Sequence, residues 1–230
     1  ANLKTIILAT PLREARQAMN TAPIVRPADS AELDSLVAIL SSSFEHDPVM
    51  NWVMPNSGLY QDFFRLIIAN IYLPRGIAHI DEQGRGASLW LPPGERFELP
   101  PQWALLRMIG KLVLTEGLRP LPRMREQSAL FAQHRPQEPH FYLQFIGCKQ
   151  GYQGAGIGSA LLKHGTRLCD EKAFPAYLES SNALNVPLYQ RHGFEVIAQE
   201  RVGRSEERRG GESCGGRGGG GGGVGGGGGG

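Results

Sequence analysis

A chain of 230 residues, 41% of them hydrophobic, has material for one core and suits one domain with room for appendages. Its formal net charge of +2 gives no electrostatic mandate for nucleic acid or a membrane surface, so neither is expected as a partner. No apolar run reaches the ~18 residues of a membrane-spanning helix, and Ile6 to Thr10 is too short for a signal core. Cys148, Cys169 and Cys214 share no metal-like spacing and cannot all pair, so no metal site is expected and a reducing cytoplasm is the simplest setting.

In chain order, residues 1–22 carry little pattern. Leu12 to Met19 allows a short helix, and the segment reads as a leader or linker. The first residue is not Met, so the sequence is expected to begin inside a longer product. Ile24–Arg26 is a strand candidate closed by Pro27. Asp29 followed by Glu32 is a capping-box variant, after which Leu33, Leu36, Val37 and Leu40 recur on one helical face. That helix should end before Pro48. Glu45, His46 and Asp47 then read as a solvated helix end. A second helix is predicted over Tyr60–Tyr72, and Ile77–Asp81 with Gly86–Leu91 forms a hairpin signal around Glu82–Arg85. Residues 100–134 form a helical insertion, Trp103 to Leu114 and Arg123 to Phe131 with breaks at Pro120 and Pro122, apolar enough to roof a pocket. A fourth strand covers Phe141–Ile146 and a helix runs from the following loop to about Lys172. A fifth strand spans Ala176–Glu179. A short helix over Asn185–His192 carries Pro187 in its first turn and Gly193 as its cap, and Phe194–Ala198 is a sixth strand.

The loop between the fourth strand and its helix, Gln153-Gly154-Ala155-Gly156-Ile157-Gly158, holds three glycines in six residues. Such a loop can present successive backbone N–H groups, and the helix behind it adds its unpaired first-turn N–H groups and a positive dipole end. Together they suit a pyrophosphate. The bland reading is a turn that lets the helix pack closely on its strand. No Gly-Lys-Ser/Thr ends the loop, and the glycine spacing departs from the dinucleotide fingerprint, so Walker and Rossmann readings are poor.

A strand, a Gln-x-x-Gly-x-Gly loop, a helix, a strand and then Asn185-Val186-Pro187-Leu188-Tyr189-Gln190-Arg191-His192-Gly193-Phe194, in this order, resemble the GCN5-related N-acetyltransferase (GNAT) superfamily. His134-Arg135-Pro136-Gln137-Glu138-Pro139-His140-Phe141-Tyr142-Leu143 and Leu178-Glu179-Ser180-Ser181 look most like the puromycin N-acetyltransferase type. The resemblance is good over 134–198 and looser over 22–95. It implies a three-layer α/β/α sandwich around a mixed, mostly antiparallel sheet, and transfer of an acetyl group from acetyl-CoA to a primary amine of a small molecule. No metal is implied, and the protein would be a monomer or homodimer.

Carried over residue by residue, Gln153, Gly154, Ala155, Gly156, Ile157 and Gly158 would bind the pyrophosphate, with Ser159 in the helix's first turn. The fourth and fifth strands would splay, with the pantetheine along Ile146, Gly147 and Cys148. Asn185 matches a contact to the cofactor arm, and Tyr189 matches the general acid. Glu179 is the candidate base, acting through water or by holding the amine's charge, with a structural hydrogen bond at the strand end as the equal alternative. The base position of other branches falls at about Tyr142. The acceptor pocket is expected from segments 44–72 and 95–134.

Two departures stand out. Lys149-Gln150 occupies the place of a usual Asp-Pro, which makes the approach to the loop less rigid. After Glu200 a seventh strand should return between the fifth and sixth, but Arg201 to Arg209 leads into a tail with 16 glycines in residues 210–230. Residues 201–230 therefore read as disordered, and the final strand appears missing. That would leave the fifth and sixth strands without a partner and raises an alternative, a CoA-binding relative without catalysis. RNA binding through the Arg-Gly-Gly segments of the tail is a remote alternative, because no aromatic follows Phe194.

Overall fold

The structure, a computed structural model, describes residues 2–9, 23–98 and 103–202. Strand β1 spans Asn2–Ala9 and β2 spans Val25–Pro27. The capping box forms as predicted: the Ala31 N–H donates to the Asp29 carboxylate at 2.7 Å, and the Asp29 N–H donates to Glu32 at 3.0 Å. One 3-10 turn leads into α1 (Leu33–Phe44), whose Leu36, Val37, Ile39 and Leu40 are buried. After the turn at Glu45–Asp47 comes a short helix that was not expected from the sequence, α2 (Pro48–Val53). Asp47 caps it by accepting the Val49 and Met50 N–H groups, and Pro48 sits at its start, where a missing N–H costs nothing. Helix α3 (Tyr60–Ile67) continues into a π turn, Ile68–Tyr72, so the predicted helix is present with a widened end.

β3 (Ile77–Asp81) and β4 (Gly86–Leu91) make the predicted hairpin, closed by Arg85 donating to Asp81 at 2.7 and 2.8 Å. The insertion is α4 (Trp103–Glu116) and α5 (Pro120–His134). Pro120 and Pro122 do not break α5. They occupy its first turn, where no backbone donor is required. Then come β5 (Phe141–Cys148), α6 (Ile157–Lys172), β6 (Ala176–Ser180), α7 (Val186–Arg191) and β7 (Phe194–Val202). Among the described residues no helix is long and apolar enough to cross a membrane.

The seven strands form one sheet in the order β2-β3-β4-β5-β6-β1-β7, antiparallel at every step except the parallel pair β5 and β6. One face carries α1, α3 and the inner side of the insertion over Phe64, Tyr72, Leu89 and Phe145. The other carries α6 and α7 over Trp90, Leu143, Leu178 and Phe194. This is the expected three-layer α/β sandwich.

Helix α6 lies so close to the sheet that a Cβ on Gly165 would fall 2.3 Å from the Trp90 ring. Trp90 is fully buried and donates its Nε1–H to the Ser88 hydroxyl at 3.1 Å, so it has little room to yield. Gly165→Ala is therefore expected to overpack this seam at a cost of about 1–3 kcal/mol, a fall in melting temperature of roughly 3–9 °C by thermal denaturation.

The expectation of a missing strand is corrected. The place between the fifth and sixth strands of the sequence reading, now β6 and β7, is filled from the N-terminal side. β1 pairs with β6 from Thr5↔Ser180 to Ala9↔Ala176, and with β7 from Asn2↔Val202 to Ala9↔Phe194. Part of the stretch read as leader is thus an interior strand, between β6 and the edge strand β7. Ile6-Ile7-Leu8-Ala9, a short continuous apolar run, was the available signal. β7 also continues through Arg201 and Val202, into the stretch expected to be disordered, because β1 pairs with it that far. The rest of the leader, 10–22, and the Gly-rich tail, 203–230, lie outside the described residues.

Candidate active site

The parallel ladder between β5 and β6 runs from Phe141↔Ala176 to Leu143↔Leu178 and stops. Beyond it β5 follows β4 to Cys148, while β6 follows β1 to Ser180. Two parallel strands that part in mid-sheet leave an opening through the sheet, here a cleft of about 550 Å³. Every site residue named from the sequence lines this cleft except Ala155.

One wall is the glycine loop. Gly154 and Gly156 adopt φ of 81° and 78°, in the left-handed region. No neighbouring atom lies within 4 Å of where their Cβ atoms would be, so glycine is required here by conformation and not by space. Among the described residues, the N–H groups of Gly154, Gly156, Ile157 and Ser159 have no protein acceptor. The Ala155 N–H turns back to the Tyr152 carbonyl at 3.4 Å, and the Gly158 N–H faces the Cys148 sulfur. Four donors at the start of a 16-residue helix, unmet by protein among the described residues, are groups that could bind an anion.

Cys148 itself is a neutral thiol, pushed up to about 11 by burial with the Gly158 N–H opposing. The approach to the loop is not slack despite the lost Asp-Pro. The Lys149 N–H donates to the Arg85 carbonyl at 2.8 Å, and the Gln150 side chain donates to Glu45 at 3.1 Å. At Gly147 a Cβ would fall 2.4 Å from that of Ser43, so α1 rests directly on the β5 backbone. Ser159 and His192 are linked at 2.7 Å, tying the first turn of α6 to the end of α7.

The opposite wall carries the titratable groups. Glu179 accepts the Tyr177 hydroxyl at 3.0 Å and the Tyr142 hydroxyl at 3.1 Å, one on each carboxylate oxygen. Tyr142, the residue at the base position of other branches, is thus a donor to Glu179. Burial first, and then the Glu179 charge, holds both phenols far above their usual value, so both remain protonated. The Arg135 guanidinium lies 4.9 Å from the Tyr142 ring centroid and offsets part of that negative charge.

Asp47, set aside in the sequence as a solvated helix end, also lines the cleft. One oxygen caps α2 and the other accepts the Ser181 hydroxyl, so it joins the α1–α2 connection to the end of β6. The dipeptide Asp47-Pro48, a cap followed by a first-turn proline, was the overlooked signal. Conversely, no residue of 103–134 lines the cleft, so among the described residues the insertion does not build it. Arg123 of α5 instead donates to the Trp52 carbonyl at 2.8 Å and stacks over that indole, bracing α2.

Tyr189 stands between the two walls. Its ring is buried edge-on to Phe194, with centroids 6.1 Å apart. Burial raises the phenol to about 12, the Ser180 hydroxyl draws it down, and the Asp47 charge raises it again. It is a protonated donor throughout the neutral range.

Residues 123–194, which carry β5, the glycine loop, α6, β6 and α7, match the model of the acetyltransferase (GNAT) family. A crystal structure of histone acetyltransferase HPA2 and related acetyltransferase from Corynebacterium glutamicum is 27% identical, covers 74% of this chain and 83% of its own, and superposes with a TM-score of 0.55. The fold is that of the GNAT acetyltransferases. An uncharacterized N-acetyltransferase of Schizosaccharomyces pombe is 26% identical over 182 residues, 72% of each chain. A mosquito arylalkylamine N-acetyltransferase-like protein shares the GNAT fold at 16% identity, with a TM-score of 0.51 over 77% of this chain and 85% of its own.

Proposed function

We propose that this GNAT-fold protein transfers an acetyl group from acetyl-CoA to a primary amine of a small molecule. The observation that carries the reading is the set of four unpaired backbone donors at Gly154, Gly156, Ile157 and Ser159, opening onto the same cleft as Tyr189 and Glu179. The fit to the co-substrate rests on these donors and on the gap that opens where β5 and β6 part after Leu143 and Leu178. The loop and the start of α6 would hold the diphosphate, and Ile146 to Cys148 and Asn185 the pantetheine. When bound, the co-substrate supplies an activated acyl group as a thioester.

The chain's own residues then have distinct tasks. An alkylamine is mostly protonated near neutral pH, so it arrives as a cation. Glu179 and Asp47 put two carboxylates at the acceptor side, which favours that cation and offers a route for its proton, directly or through water. A backbone N–H near Cys148 would donate to a developing oxyanion. Tyr189, beside Ser180, would donate to the departing thiolate.

The inactive alternative drew its support from a sheet lacking a strand, and β1 removes that support. Calorimetry with acetyl-CoA, followed by a thiol-release assay across aliphatic amines, arylalkylamines, aminoglycosides and puromycin, tests the proposal. Puromycin belongs in the panel because residues 134–198 resemble that type. Micromolar binding with release for at least one amine is expected. Binding without release would establish the alternative, and absence of binding would sink both. With the active amine in hand, Glu179→Gln should lower kcat/KM by about 10²-fold, and an unchanged pH profile of the variant relative to the parent would count against Glu179 as base and leave it as the acceptor of the two phenols.

A further inference from the structure

The neighbours of β1 in the sheet are remote from it in sequence. β2 follows β1 in the chain but lies at the opposite edge, five strand positions away. At about 4.8 Å per position that is roughly 24 Å. The connector, residues 10–24, can reach up to ~50 Å when extended. Its length therefore does not dictate where β1 sits. What holds β1 is its ladder, antiparallel on both edges, over five residue pairs with β6 and eight with β7.

The active-site strand depends on that ladder. β5 leaves β6 after Leu178, so among the described residues the last two residues of β6 pair only with β1, in the register Ile6↔Glu179 and Thr5↔Ser180. Glu179 accepts the two phenols and Ser180 stands beside Tyr189. With β1 gone, both edges of the slot would expose unpaired N–H and C=O groups, and the end of β6 would lose its only backbone partner.

We infer that the slot between β6 and β7 is a binding site for one extended peptide strand, occupied by Asn2–Ala9, and that this strand binds as a separable ligand. The recognised chemistry is an antiparallel backbone whose centre is the apolar, β-branched pair Ile6-Ile7, met on both edges by hydrogen-bonding strands. The site thereby couples strand occupancy to the order of Glu179 and Ser180.

The test uses the full chain with a protease site inserted between Arg16 and Gln17, cut after folding. The expected result is that the released N-terminal fragment stays bound by native mass spectrometry and the melting temperature persists. Excess labelled Asn-Leu-Lys-Thr-Ile-Ile-Leu-Ala should then displace the fragment, while the same peptide with proline in place of the residue matching Ile6 should compete at least about 10-fold more weakly, because proline removes a ladder donor. Dissociation of the fragment with unchanged melting overturns the inference. So does unfolding on cleavage, or a fragment that the intact peptide cannot exchange. None of these measurements uses acetyl-CoA, so they stand whether or not the acetyltransferase reading does.

Discussion

Tyr189→Phe is expected to bind acetyl-CoA as well as the parent chain and to release thiol about 10²- to 10³-fold more slowly. The substitution removes one hydroxyl from a buried ring and keeps the packing on Phe194. Burial holds the phenol above its usual value, so it meets the leaving sulfur as a protonated donor. Its contribution is therefore a hydrogen bond that strengthens as charge builds on sulfur, and the loss should appear in kcat with little change in KM. The same phenol should give no alkaline limb to the pH profile below about pH 11, because it stays protonated there. Steady-state thiol release, with calorimetry for affinity, checks both statements. Unchanged turnover would take Tyr189 out of the chemistry.

Gly156→Val should weaken acetyl-CoA binding about 5- to 150-fold while leaving the melting temperature of the free protein almost unchanged. At φ of 78° a β-branched side chain is strained by about 1–3 kcal/mol. No atom within 4 Å blocks the side chain, so the loop can relax to a strain-free backbone when no anion is bound. In relaxing it changes the directions of the Gly154, Gly156 and Ile157 N–H groups. Binding must then restore the strained form, and affinity falls by that amount. The contrast with Gly165→Ala is diagnostic. There the added carbon meets the Trp90 ring at 2.3 Å, the strain cannot be relieved locally, and stability suffers instead.

The chain's local chemistry was readable without coordinates wherever near neighbours decide the outcome. The capping box at Asp29 and Glu32, the hairpin across Glu82–Arg85, and the glycine loop opening α6 depend on residues a few positions apart. Their conformations follow from caps, turn residues and the freedom of glycine. The glycine loop, together with the Asn185–Phe194 segment, carried the resemblance that indicated the fold. Pro120 and Pro122 were misjudged because a proline reads the same at a helix start as at a helix break, and Asp47 because the cap and first-turn proline of Asp47-Pro48 went unread.

What required the tertiary structure is everything that joins distant segments. Tyr142, Tyr177 and Glu179 meet because β5 and β6 run parallel for three residues and then part. Asp47 reaches Ser181 because the α1–α2 connection lies beside the residue that follows β6. The filling of the seventh-strand place by Asn2–Ala9 is the extreme case. A strand's sequence specifies that it will be extended and apolar, but its partners are chosen by which backbone edges the rest of the chain leaves unpaired. That is a long-range property, and no stretch of this sequence contains it.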